Sequence, residues 1–364
     1  MAKRNGPKSR IAANAKKRRR ESKDFIYAAL GGLALSVAAL YMAVALPKVA
    51  PIIAPTFLDM RLQALGPAAG WKPAEDITVE TRFEVASDSR LEKPTQVMRV
   101  GSTEKLESIF EGMDYDLAPA ASDQVEVPRV FLANLPSDLD TLSSTDARKL
   151  LFVQTMLPLI LKANETILLE RGQLLALRAH TESGRTLTAE DAAWLNDLAE
   201  RYGAESTDFH RLLRRVDIVP PSLALAQAAE ESGWGTSRFV RQGNAVFGQY
   251  TFSEELGLAP IDREDGKNHY IRSYDHLLDG VKSYMRNLNT HAAYRSFRKS
   301  RADMRANGQR IDGFKLAGKL LSYSERGKEY VETIQALIRA NSFAPLDKAR
   351  LRGGKFTSLI SAAR

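Results

Sequence analysis

Residues 221–235 read PSLALAQAAEESGWG. Two prolines stop whatever precedes them, and Ser222 follows as a candidate N-cap. Positions 223–229 are apolar except for Gln227. A helix that is apolar on every side belongs inside a core. Gly233 and Gly235 end it. Glu230 and Glu231 stand side by side on the last turn. Adjacent helical positions point about 100° apart, so the two carboxylates cannot share one environment. Gln227 lies four residues before Glu231 and therefore on its face. A carboxyl kept in apolar surroundings resists ionisation, and a raised carboxyl pKa is what a general acid needs near neutral pH. On pattern alone the pair reads equally well as two solvated glutamates at a helix end.

Helical patterning continues on both sides. STEKLESIFEGM (102–113) opens with a Ser/Thr cap and spaces Leu106, Ile109 and Phe110 helically. DARKLLFVQTMLPLILKANETILLERGQLLALRAH (146–180) predicts a long helix with a kink at Pro158. Its apolar run, 150–161, is too short to span a bilayer and reads as core. TAEDAAWLNDLAERYG (188–203) predicts a helix capped by Thr188 and closed by Gly203. After the helix at 221–232, residues 244–274 are rich in aromatics, Gly and Pro without helical period, which suits a small hairpin or loop lobe. Helix returns at 275–294 and 315–341.

The N-terminus has a different character. Nine of the 52 basic residues fall within 1–20, where there is no acid, so the net charge of +8 is a property of that tail. The remainder is near neutral, which argues against a nucleic-acid partner. Residues 25–46 carry no charge. At about 1.5 Å per residue they match a hydrocarbon core of ~30 Å. The preceding basic cluster predicts a cytoplasmic N-terminus and export of everything that follows. A cleaved signal peptide would have a shorter apolar stretch and a small-residue site, whereas this run ends in Leu46-Pro47. The expected order is a basic tail (1–23), a transmembrane signal-anchor (24–47) and a spacer (48–100). A helical accessory region (101–215), a domain that holds the 221–232 helix (216–343) and a basic C-terminal tail (344–364) complete it. DITVETRFEV (76–85) predicts a short strand within the spacer. The chain has no cysteine, which excludes thiolate nucleophiles and Cys-ligated zinc. Its five histidines form no H-E-x-x-H, and neither G-x-S-x-G nor a phosphate-cradling glycine loop occurs.

The stretch LAQAAEESGWGTSRFVRQGNAVFGQY (225–250) resembles the signature of the glycoside hydrolase family 73 glucosaminidase domain, and more closely that of its bacterial Bax-type members. The pattern Q-A-A-x-E-S-x-W-G-x-S, then N-x-x-F-G, falls on Gln227, Ala228, Ala229, Glu231, Ser232, Trp234, Gly235 and Ser237, then Asn244, Phe247 and Gly248. The resemblance runs over residues 101–343. It implies a mostly α chain whose catalytic domain is a lysozyme-like α+β fold with a small β-lobe. It also implies cleavage after N-acetylglucosamine in peptidoglycan glycan strands, with no cofactor and no metal. Together with the N-terminal anchor, this gives the expectation of a bacterial inner-membrane protein whose catalytic domain is periplasmic.

The family's catalytic glutamate is the one before Ser, which falls on Glu231, in agreement with the face argument. A second group is expected in the β-lobe. Glu264 fits by residue type, and Asp265 is the alternative by spacing. Tyr274 matches the tyrosine of the family's F-R-x-Y, although Ile271 replaces the phenylalanine; it would assist if the substrate's own acetamido oxygen attacks. Gln227, Trp234, Asn244, Phe247, Tyr250, Tyr294 and Tyr323 are the candidate substrate-binding residues. Rings stack on sugar faces, while Trp234 and Phe247 read equally as core and Asn244 equally as a loop anchor. The other classes that fit one glutamate on a helix are a muramidase or lytic transglycosylase, and an idle glycan-binding scaffold. The intact E-S-x-W-G argues against the last.

Overall fold

The computed structural model describes residues 77–82, 95–117, 125–259 and 269–353. The basic tail, the apolar run 25–46 and the β-lobe segment 260–268, with Glu264 and Asp265, lie outside them. Among the described residues no helix is long and apolar enough to cross a membrane.

The described chain is mostly helical, with three small sheets. β1 (Ile77–Arg82) and β2 (Thr95–Val100) form an antiparallel hairpin in which Ile77 faces Val100. The expected strand is therefore present, but the segment is more than a spacer. Val97, Met98 and Val100 are buried. Met98 N donates to Phe131 O at 2.5 Å and Met98 O accepts from Ala133 N at 2.6 Å. The hairpin thereby joins the body.

α1 (Thr103–Glu111) is capped by Ser102, whose Oγ accepts from Lys105 N. α2 (Thr145–Glu182) is the central pillar, 38 residues long, with Pro158 inside the helix. Residues 151–164 are buried on all sides, because α2 passes between several elements rather than lying on a surface. α3 (Ala189–Tyr202) has Thr188 as N-cap and Gly203 closing it at φ 61°, as expected from sequence. α4 (Phe209–Arg215) follows.

α5 (Pro221–Ser232) packs against α2 and against α10 (Lys328–Ala340). Ten of its twelve residues are buried, which is the outcome its all-apolar composition requires. Ser222 is not its N-cap. Pro220 occupies that position, and Ser222 gives both its N–H and its hydroxyl to the Asp347 carboxylate, at 2.8 and 2.9 Å. Asp347 also accepts from Gly313 N at the start of α9 (Gly313–Ala317). A distant carboxylate thus does the work that a local cap does elsewhere.

This overturns the expected C-terminal tail for residues 344–352. They form a 3₁₀ turn, Ala344–Lys348, and a strand, β7 (Arg350–Leu351), which pairs in parallel with β3 (Glu126–Val127). Leu346, Ala349 and Leu351 are buried. Arg352 donates to the carbonyls of Met113 and Asp114. The apolar positions of this segment are sparse and lack a period, so its basic residues dominated the reading.

α6 (Arg238–Gly243) leads into the β-lobe, a three-stranded antiparallel sheet. Its strands are β4 (Tyr250–Thr251), β5 (Gly257–Leu258) and β6 (Tyr270–Arg272), with β6 in the middle. Ile271, standing where the resemblance expects Phe, is buried at the centre of that sheet. α7 (Leu277–Thr290) and α8 (Arg295–Ala306) follow the sheet and lead to α9 and α10.

The helical region before residue 216 and the domain after it share one hydrophobic core. A buried ion cluster also ties them. Asp217 meets Arg305 at 2.5 Å, Arg171 of α2 at 3.7 Å and Arg301 at 3.8 Å. Burial alone would raise this carboxyl, but the three guanidinium groups bring it down to about 2.

Candidate active site

The turn after α5 decides where Glu231 ends up. Gly233, Trp234 and Gly235 have φ values of 57°, 59° and 82°. Three left-handed residues in succession reverse the chain sharply, and only glycine adopts this region freely. A Cβ on Gly235 would lie 2.4 Å from Leu135 Cδ1 and 3.0 Å from Phe152 Cδ2. Trp234 tolerates its strained backbone because its ring is held between Phe152 and Phe343, with Lys149 Nζ 5.1 Å from the ring centre. Ser232 Oγ donates to Ala228 O and accepts from Gly235 N, locking the turn.

The two glutamates then part, as the helical geometry requires. Glu230 forms an ion pair with Arg326. Glu231, partly open to solvent, has a different partner: its Oε1 accepts from Tyr330 Oη at 2.7 Å. Behind it, Gln227 Nε2 donates to Tyr330 Oη at 2.8 Å, and Tyr284 Oη donates to Gln227 Oε1 at 2.7 Å. Burial raises the Glu231 carboxyl and Glu230 adds to that. The Tyr330 hydrogen bond and Arg326 pull the other way, and the result is about 7. A substantial share of this group therefore keeps its proton near neutral pH, on a side chain that is partly open to solvent.

An aromatic wall surrounds the carboxyl. Tyr323 stacks on Tyr330 with ring centres 5.3 Å apart, and Tyr294 lies 5.9 Å from Tyr323. Phe247 stacks on Tyr284 with ring centres 3.8 Å apart and planes nearly parallel. The hydroxyls of Tyr284, Tyr294, Tyr323 and Tyr330 are all raised, first by burial, with the Glu231 charge contributing to each. The charge of one carboxylate thus reaches all four tyrosines, with Tyr330 in direct contact.

The expected binding residues take different places. Tyr294 and Tyr323 stand in the wall beside Glu231. Gln227 and Phe247 do not offer a surface to a ligand: Gln227 is fully buried with both amide ends engaged, and Phe247 is buried against Tyr284. Trp234 is half-buried, packed at the edge of the core between Phe152 and Phe343. Asn244 is a loop anchor. It closes α6 at φ 52°, and its Nδ2 donates to the carbonyls of Tyr274 and Asp275. Tyr250 is exposed on β4, its ring edge-on to His269, next to the exposed Phe252.

Tyr274 Oη lies 2.8 Å from Gln249 Oε1 and 3.0 Å from Ser283 Oγ. Gln249 follows Gly248, where a Cβ would come within 3.9 Å of Glu231 Oε2. Tyr274 thus braces the loop that passes over the carboxyl. Tyr330 is the residue that sequence reasoning missed. It lies in KEYVETI, where its spacing gives it the buried side of α10, and nothing local connects it to a carboxylate 99 positions earlier.

Residues 206–343 match the glucosaminidase family, described as mannosyl-glycoprotein endo-beta-N-acetylglucosaminidase. Protein bax of Escherichia coli strain K12 is 36% identical over 215 residues, covering 57% of this chain and 75% of that protein. No solved structure matches. With the signature residues assembled around Glu231, the match over three quarters of that relative shows that the chain belongs to the Bax-type proteins carrying a family 73 glucosaminidase domain.

Proposed function

We propose that this chain hydrolyses peptidoglycan glycan strands at the bond after N-acetylglucosamine, with Glu231 as general acid. The observation that carries the reading is the carboxyl raised to about 7 at the partly open end of a buried helix, facing a tyrosine wall. In the protonated form Glu231 protonates the leaving glycosidic oxygen as the bond to the anomeric carbon breaks. As the carboxylate left behind, it accepts a proton from the incoming water. Tyr323, half-exposed, supplies a flat face and a hydroxyl for a sugar bound beside it, with the buried Tyr294 packed against it. Stabilisation at the anomeric carbon comes from Glu264 or Asp265 of the β-lobe, or from the substrate acetamido group with Tyr274 bracing the loop. The apolar run 25–46 anchors the protein in the inner membrane and leaves the catalytic domain in the periplasm.

Digestion of purified sacculi followed by mass analysis of the fragments tests the chemistry. New reducing N-acetylglucosamine ends, lost in Glu231→Gln, are the expected result. Anhydromuramic ends would instead indicate a lytic transglycosylase, and unchanged sacculi under varied pH and salt would leave a glycan-binding scaffold. Protease accessibility in spheroplasts tests the placement: residues beyond 47 are expected to be cleaved from outside.

A further inference from the structure

Three hydrogen bonds run in series behind the acid: Tyr284 to Gln227, Gln227 to Tyr330, and Tyr330 to Glu231. Two of the three donors are hydroxyls, which rotate and can donate or accept. The carboxamide is different, since its oxygen only accepts and its nitrogen only donates. Tyr330 Oη receives the amide N–H, so its single proton is left for Glu231 Oε1. The amide cannot be turned round cheaply. Gln227 and Tyr284 are both fully buried, away from water, and Phe247 holds the Tyr284 ring in place by stacking. Reversing the amide would aim N–H at the Tyr284 hydroxyl and strand that hydroxyl's proton.

We infer that Gln227 is a positioning residue whose amide direction commits the Tyr330 proton to Oε1 of Glu231, leaving Oε2 as the oxygen that carries and delivers the acid's proton. Oε2 is the oxygen nearest the Gly248 turn of the loop leading into the β-lobe. The inference deepens the proposed function and rests on it for its catalytic meaning, but the proton arrangement stands on the hydrogen-bond series. The other charged groups acting on Glu231 are Glu230 and Arg326, which pair with each other, and the remaining facing groups are Tyr284, Tyr294 and Tyr323.

The test is a carbon-13 carboxyl titration of the full chain labelled at glutamate, with Glu231→Gln identifying the resonance, alongside the pH profile of glycan hydrolysis. A donor stabilises the charged carboxylate, so Tyr330→Phe is expected to raise the Glu231 titration by about one pH unit. Gln227→Glu is expected to raise it too, because a carboxylate there takes the Tyr330 proton for itself. Adding Tyr330→Phe to Gln227→Glu should then change little. Tyr284→Phe, which keeps the ring and frees the amide, should give a smaller rise and serves if Gln227→Glu fails to fold. A fall or no change in Tyr330→Phe would overturn the inference, since Tyr330 would then be accepting from a protonated Glu231. A normal titration without any hydrolysis would count against the glucosaminidase reading and leave the proton arrangement intact.

Discussion

Replacing Glu231 by glutamine isolates the energetic cost of keeping an acid in this place. Glutamine keeps the shape and an oxygen to accept from Tyr330, and removes only the ionisation. In the folded protein the carboxyl titrates at about 7 instead of its ordinary 4.5. The folded state therefore holds the proton more tightly than the unfolded chain. Below pH 4.5 both states are protonated and the native enzyme carries no penalty. Between 4.5 and about 7 the unfolded chain ionises first, so native stability falls as pH rises. Above that window both are ionised and the full cost is present. At about 1.4 kcal/mol for each tenfold change in affinity, that cost is ~3 kcal/mol, an upper figure because the group is partly open to solvent. Urea unfolding followed by tryptophan fluorescence at pH 4, 5.5, 7 and 8 measures it. The glutamine variant should gain ~3 kcal/mol over the native chain between pH 4 and 8, while losing hydrolysis at every pH. Parallel stability curves across that range would refute the claim that the fold holds this carboxyl against ionisation.

Three further outcomes follow from the same geometry. Asp217→Asn leaves Arg171, Arg301 and Arg305 facing one another without a counter-charge, and should cost about 3–5 kcal/mol in urea unfolding at pH 7. Because the Asp217 carboxyl is depressed to about 2, its contribution is complete above pH 4 and is lost as pH falls through 2, which acid unfolding with and without the substitution would reveal. Gly235→Ala drives a methyl group toward Leu135 at a backbone φ of 82° and should lower stability by at least ~2 kcal/mol, measured as a drop in Tm. Asp347→Ala strips the start of α5 and of α9 of their acceptor; a loss of ~2–3 kcal/mol is expected, together with faster amide exchange at Ser222 and Gly313.

Short-range chemistry made much of this protein legible from its residues. The apolar circumference of α5 required burial, the separation of adjacent helical positions set Glu231 apart from Glu230, and Thr188 with Gly203 bounded α3. The mixed run after Asn244 pointed to a small sheet. All of these depend on neighbours within one or two turns, which is the range over which hydrophobic periodicity and capping act. What tertiary structure alone decided lies at longer range. Tyr330 reaches Glu231 from 99 positions away, and Asp347 reaches Ser222 from 125. Gln227, which reads as a ligand contact beside an acid, turns out to hold two tyrosines in place. A polar residue's role depends on which distant donor or acceptor folding brings against it, and no local pattern encodes that partner.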